Sequence, residues 1–147
     1  MRPQRSNSDL ASAVRQPARR GSASVELALL LPLLGLFFLI TVDFARLYYH
    51  YSIVTNCARN GALYGSDPTS ASESPYSDLT TAALADAPDL SPQPTVSSAN
   101  GTDSSGNPYV EVTVVYAFTT ISSYPGLSNP ISLTRTVRMR VAPATPN

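Results

Sequence analysis

The chain has one cysteine, Cys57, and one histidine, His50, among its 147 residues. The lone cysteine excludes an internal disulfide and every metal site built on two or more thiolates, and the lone histidine excludes an HExxH pair. No GxSxG, GxxxxGK[ST] or GxGxxG run occurs. Neither catalytic residues nor a cofactor are expected, and any folded part must be held by packing alone. Lysine is absent, and the ten arginines are unevenly placed: five stand against one aspartate in residues 1–20, and five against nine acids in the remainder. Between Gly65 and Tyr116 there are seven acids and no base, a stretch that would repel a phosphate backbone, so nucleic acid is not an expected partner.

What the chain does have is one long apolar run. From Leu27 to Val42 only Thr41 interrupts it, and counting from Ala23 gives about the 20 residues that a helix needs to cross roughly 30 Å of hydrocarbon. A lipid bilayer is the partner this implies. Arg15, Arg19 and Arg20 precede the run and only Arg46 and Arg59 follow closely, so the positive-inside rule places the N-terminus in the cytoplasm and the C-terminal part outside. That is the topology of a single-pass inner or plasma membrane protein. A cleaved secretory signal fits less well, because Asp43 stands where a small residue is required. A buried core helix fits less well too, since Leu27 to Ile40 has no polar stripe. Tyr48, Tyr49 and Tyr51 follow the run, where aromatic rings favour the headgroup layer.

Helical periodicity continues beyond Val42. Phe44, Leu47, Tyr51, Val54, Ala58 and Ala62 recur at steps of three and four, which predicts an external amphipathic extension stopped by Gly65 and Pro68, so that one helix runs from about Ser22 to Tyr64. Residues 67–76 read as a linker, and Ser77-Asp78 as the cap of a short Ala-rich helix ending before Pro88. Tyr109 to Phe118 alternates with period two, with Val110, Val112, Val114, Tyr116 and Phe118 on one face. Ile131 to Val141 does the same, with Arg135 the exception on its apolar face. A weaker strand, Thr95 to Ala99, joins the first through a Gly/Asn/Ser-rich hairpin loop. The expected fold is α+β: a long N-terminal helix, a short helix, and an antiparallel sheet of about three strands whose apolar face is covered by the external helical stripe. The expected divisions are a basic leader over 1–21, a transmembrane helix over 22–43, an external helix over 44–65 and an extracytoplasmic α+β domain over 66–147.

Single polar residues carry plain expectations. Asp43 and Arg46, three apart, read as a solvated ion pair. His50 reads as facing water or headgroups, Cys57 as a small apolar residue at the margin of the packed face, and Asp103 to Gly106 as a turn. Pro32 leaves the carbonyl of Ala28 without its usual donor and is expected to kink the helix.

The most informative stretch is Arg19-Arg20-Gly21-Ser22-Ala23-Ser24-Val25-Glu26, followed at once by Leu27-Ala28-Leu29-Leu30-Leu31-Pro32. An acid at the centre of a spanning helix costs about 2.5 to 3.5 kcal/mol on insertion, and Glu26, nearer the interface, retains part of that penalty unless a cation offsets it. Arg20, Gly21, Ala23, Val25, Glu26 and Ala28 to Pro32 resemble the R-G-x-A-x-V-E-x-A-L-L-L-P pattern of the TadE-like proteins of tight-adherence (Tad) pilus loci. A looser likeness continues through Asp43 to Arg46 and Thr55 to Gly65. The resemblance implies a pilin-like fold and a minor pseudopilin or assembly component of a Tad-type pilus, not an enzyme. It implies a prepilin peptidase that cuts after Gly21, leaving Ser22 as the new N-terminus. Glu26 is then the assembly contact, pairing with a neighbouring subunit's α-ammonium. Other pilin-like subunits and the pilus assembly platform are the implied partners. The alternative is an unprocessed, signal-anchored envelope protein serving as a scaffold or binding module.

Overall fold

The computed structural model describes residues 20–143, without the side chains of Arg20 and Ser22. The leader expected over 1–21 thus lies almost wholly outside the described residues. The architecture is α+β: helix α1 (Arg20–Ser66), helix α2 (Pro68–Glu73), helix α3 (Leu79–Ala83) running into a single 3₁₀ turn (Leu84–Asp86), then strands β1 (Thr95–Thr102), β2 (Pro108–Phe118) and β3 (Ile131–Arg140). The chain divides into two compact units, one ending at Phe38 and the other beginning at Leu39.

In the first unit the described chain is helix alone, and Pro32 lies within it. From Val25 to Phe38 every large apolar side chain is exposed, from 47% at Leu33 to 72% at Leu29 and Phe38. Such a surface has no protein cover. Length and apolarity make this the single candidate membrane span among the described residues, which suggests a membrane anchor.

The second unit is a helix on a sheet. The strands form one antiparallel sheet in the order β1-β2-β3. Thr95 pairs with Val115 and Thr102 with Pro108 on one side of β2, while Tyr109 pairs with Arg140 and Phe118 with Ile131 on the other. Period-two alternation buries Val110, Val112, Val114, Tyr116 and Phe118, as expected from their spacing. Against this face pack Val54, Cys57, Ala58 and Ala62 of α1, with Ala87, Leu90 and Leu133 completing the core.

Small residues set the distance between helix and sheet. A Cβ on Gly61 would lie 3.0 Å from Ala83 Cβ and 3.1 Å from Val112 Cγ1, and one on Gly65 would lie 3.0 Å from Val110 Cγ2. Gly61 and Gly65, one turn apart, thus let α1 lie close on β2. Phe44, assigned by its spacing to the packed stripe, is instead 68% exposed. The stripe begins one turn later, with half-buried Leu47.

Residues 67–76 are not a plain linker. Asp67 accepts hydrogen bonds from the amides of Thr69 and Ser70 (both 3.1 Å) and caps α2, with Pro68 in its first turn. The residues that stop α1 therefore start the next helix. Asp78 caps α3 as expected, in a reciprocal capping box with Thr81. β1 extends three residues beyond Ala99, and the hairpin turn is confined to 103–107. There Asp103 accepts from the amides of Ser105 (2.9 Å) and Asn107 (2.8 Å), and Gly106 takes φ +82°. Two bonds tie down the far end of the sheet, from Val141 N–H to the Pro108 carbonyl (2.9 Å) and from Ala142 N–H to the Ser66 carbonyl (2.7 Å).

Candidate functional site

Two places concentrate chemistry that the core does not need. The first is the start of α1. Gly21, Glu26 and Pro32 all lie on this one helix, and a Cβ added at Gly21 would meet nothing within 4 Å. Glu26 is exposed, and no ion pair involving it occurs among the described side chains. The carboxylate thus stands at the head of an apolar, uncovered stretch.

The second is Asp43, the first residue past the apolar run. The solvated pair expected with Arg46 is corrected here. Asp43 is only 3% exposed, and Arg46 Nη1, at 3.2 Å from Oδ1, is just one of its donors. The others come from the β2–β3 loop, residues 119–130. The Ile121 amide donates to both carboxylate oxygens (2.9 and 3.2 Å), the Ser122 amide to Oδ2 (3.4 Å) and the Tyr124 hydroxyl to Oδ2 (2.9 Å). A carboxylate offers about four lone-pair positions, and here all are used. Charge-assisted bonds of this kind are among the stronger ones available to a protein. Burial raises the Tyr124 phenol above its usual range, and the bond it donates to Asp43 and that group's negative charge push the same way. Tyr124 thus stays a donor.

The loop is also braced internally. Thr120 Oγ1 donates to the Ser122 carbonyl (2.6 Å), the Thr120 amide donates to Asn129 Oδ1 (3.3 Å), and the Leu127 amide donates to the Tyr124 carbonyl (3.1 Å). With Pro125 second and Gly126 third at φ +84°, Tyr124 to Leu127 has the residue pattern of a type II turn. Between loop and helix lies a mainly apolar cleft of about 340 Å³, lined by Ile40, Phe44, Leu47, Leu127 and Ile131 around Asp43.

His50 is also placed differently from expectation. Its ring packs 5.3 Å from Tyr116 and 5.2 Å from Phe118, on the inner face of the sheet, and its Nδ1 is buried with no hydrogen-bond partner in the protein. Burial, and then the Arg46 charge, lowers its pKa. Arg46 itself stacks over Phe118, 5.3 Å from the ring centroid. Cys57 is wholly buried in the core, and burial, reinforced by the charge of Asp86, pushes its thiol up to about 11. A thiol so placed is unsuited to an intermolecular disulfide. Arg135 does project from the apolar face: its Nε donates to Thr55 Oγ1 (3.3 Å) and its guanidinium lies 4.8 Å from the Tyr51 ring centroid, at the edge of the helix. Among the described residues, no group of three or more His, Cys, Asp or Glu side chains is placed to hold a metal ion.

Sequence reasoning missed the role of Asp43 because its loop donors lie 78 to 81 positions away. The one signal available was the carboxylate itself, next to an apolar run. Both places fall within a single matched segment. Residues 21–63 match the family model for TadE-like protein. Neither the comparison with curated proteins nor that with solved structures returns a match. The TadE-like segment holds Gly21, Glu26, Pro32, Asp43 and Gly61, while the sheet and the loop that binds Asp43 lie beyond it. The TadE-like match suggests involvement in Tad pilus assembly.

Proposed function

We propose that this chain is a minor pseudopilin or assembly component of a Tad-type pilus, anchored by one membrane helix and acting through protein–protein association. The observation that carries this reading is the TadE-like match beginning at Gly21, five residues before a carboxylate on an exposed apolar helix. In this reading 1–21 is a cytoplasmic leader removed by a prepilin peptidase, 22–43 spans the membrane, 44–65 continues outside it, and 66–147 is extracytoplasmic. Cleavage after Gly21 creates an α-ammonium at Ser22. Packed beside another subunit's Glu26, that ammonium offsets the cost of holding a carboxylate at the edge of hydrocarbon. Pro32 frees the carbonyl of Ala28, and neighbouring helices in an assembly provide what a membrane does not.

Mass spectrometry of the membrane-extracted protein tests the processing step. The expected N-terminus is Ser22, and an intact leader would instead identify an unprocessed, signal-anchored scaffold. Glu26→Ala is expected to leave membrane insertion unchanged while reducing piliation. Unchanged piliation would remove the pairing role.

A further inference from the structure

The second unit is polarised along its strands. At one end, beyond Tyr109 and Arg140, lies the charged hairpin turn around Asp103, with Glu111 and Arg138 paired nearby (2.8 Å). At the other end, about 30 Å away along β2, Phe118 pairs with Ile131, and the chain from Phe118 to Thr134 contains no charged residue at all. That end holds the 119–130 loop, whose own side chains are all uncharged, with Asp43 and Arg46 of α1 beside it. In the loop Ile121 is 60% exposed and Leu127 53% exposed, and Leu127 lines the apolar cleft together with exposed Phe44 (68%).

Two apolar side chains presented to water by a rigid, uncharged turn call for a cover, and the position of the loop says what it is. The loop is fixed by its amides and Tyr124 to Asp43, and Asp43 is the residue at which the apolar run ends. A loop bound there lies at the depth where hydrocarbon gives way to headgroups. We propose that the 119–130 loop seats the folded unit on the outer leaflet, with Ile121 and Leu127 entering the boundary between lipid headgroups and acyl chains. The headgroup layer is wet enough to satisfy the loop's remaining backbone groups, while the two side chains gain apolar cover. Tyr48 and Tyr49, 72% and 64% exposed in the two turns after Asp43, are aromatic groups suited to the same layer. This inference depends on the membrane anchor but not on the pilus role.

The test uses the full chain in phosphatidylcholine nanodiscs carrying an environment-sensitive fluorophore at one introduced cysteine. Leu127→Cys and Ile121→Cys report on the loop, Ser105→Cys on the charged turn, and Leu34→Cys on the apolar run. Native Cys57 is sealed in the core and takes no label in the folded protein. Lipids spin-labelled near the headgroup, or deep in the acyl chain, serve as quenchers. The expected result is that fluorophores at 121 and 127 emit to the blue of that at 105 and lose most of their emission to the shallow quencher, while that at 34 loses it to the deep one. If the fluorophore at 34 is quenched but those at 121 and 127 behave like that at 105, the anchor stands and the seating loop does not. Blue-shifted emission at 127 that neither quencher reduces would mean that protein, such as a second copy, covers the loop, and would equally overturn the proposal.

Discussion

Asp43 and His50 are the two polar residues whose surroundings do most to define the folded unit. Replacing Asp43 with Ala removes the shared acceptor of the Ile121 and Ser122 amides and of the Tyr124 hydroxyl. The expected consequence is local. Hydrogen exchange at Ile121 and Ser122 should accelerate by about tenfold or more, as loss of a hydrogen bond of ordinary net strength implies, with little change in the β1–β2 pairing. His50 makes a pH-dependent contribution whose sign follows from its lowered pKa. The folded protein holds the ring neutral, so the unfolded chain takes up a proton first as pH falls below the ordinary value of 6.5. The stability tied to this ring is therefore present above that value and lost on acidification through it. Thermal unfolding of the detergent-solubilised protein between about pH 7.5 and 5.5, around the ordinary histidine pKa, should show His50→Gln losing less stability than the wild type. Neither role was legible in the sequence. A helical wheel places His50 but cannot show that Tyr116 and Phe118 close over it, and it cannot connect Asp43 to a loop near the other end of the chain.

At the scale of elements the sequence was far more informative, and the exceptions have physical causes. The β2 and β3 patterns announced their faces because one side is buried and the other wet. Even Arg135 was identifiable as the odd residue on the inner face; it is accommodated by stacking at the helix margin. Helix α2 was hidden because Asp67-Pro68 serves equally as an end and as a beginning: proline cannot continue a helix but suits the first turn of a new one. The small residues of the looser family-like run have a structural explanation in the approach of α1 to the sheet. Gly61→Ala is expected to destabilise the folded unit by about 1–3 kcal/mol through overpacking against Ala83 and Val112, read by urea unfolding. Gly35→Ala, where a Cβ meets nothing within 4 Å, should leave the urea midpoint of that unit unchanged and so serves as the control.

For the whole molecule, the long apolar run was the informative signal, since it alone suggested a membrane anchor. The first unit leaves its apolar side chains uncovered, while the second packs a core of its own. A tagged full-length copy is expected to stay in the membrane fraction through salt and alkaline washes and to leave it only with detergent. Recovery in the aqueous fraction without detergent would dismantle the anchor and, with it, the proposed role. The bond from Ala142 N–H to the Ser66 carbonyl has a practical bearing on how such a copy is made. It fastens the last turn of the long helix to the outgoing chain just past β3. A truncation ahead of Ala142 would leave that turn to fray, whereas a purification handle appended after Asn147 leaves the fastening in place.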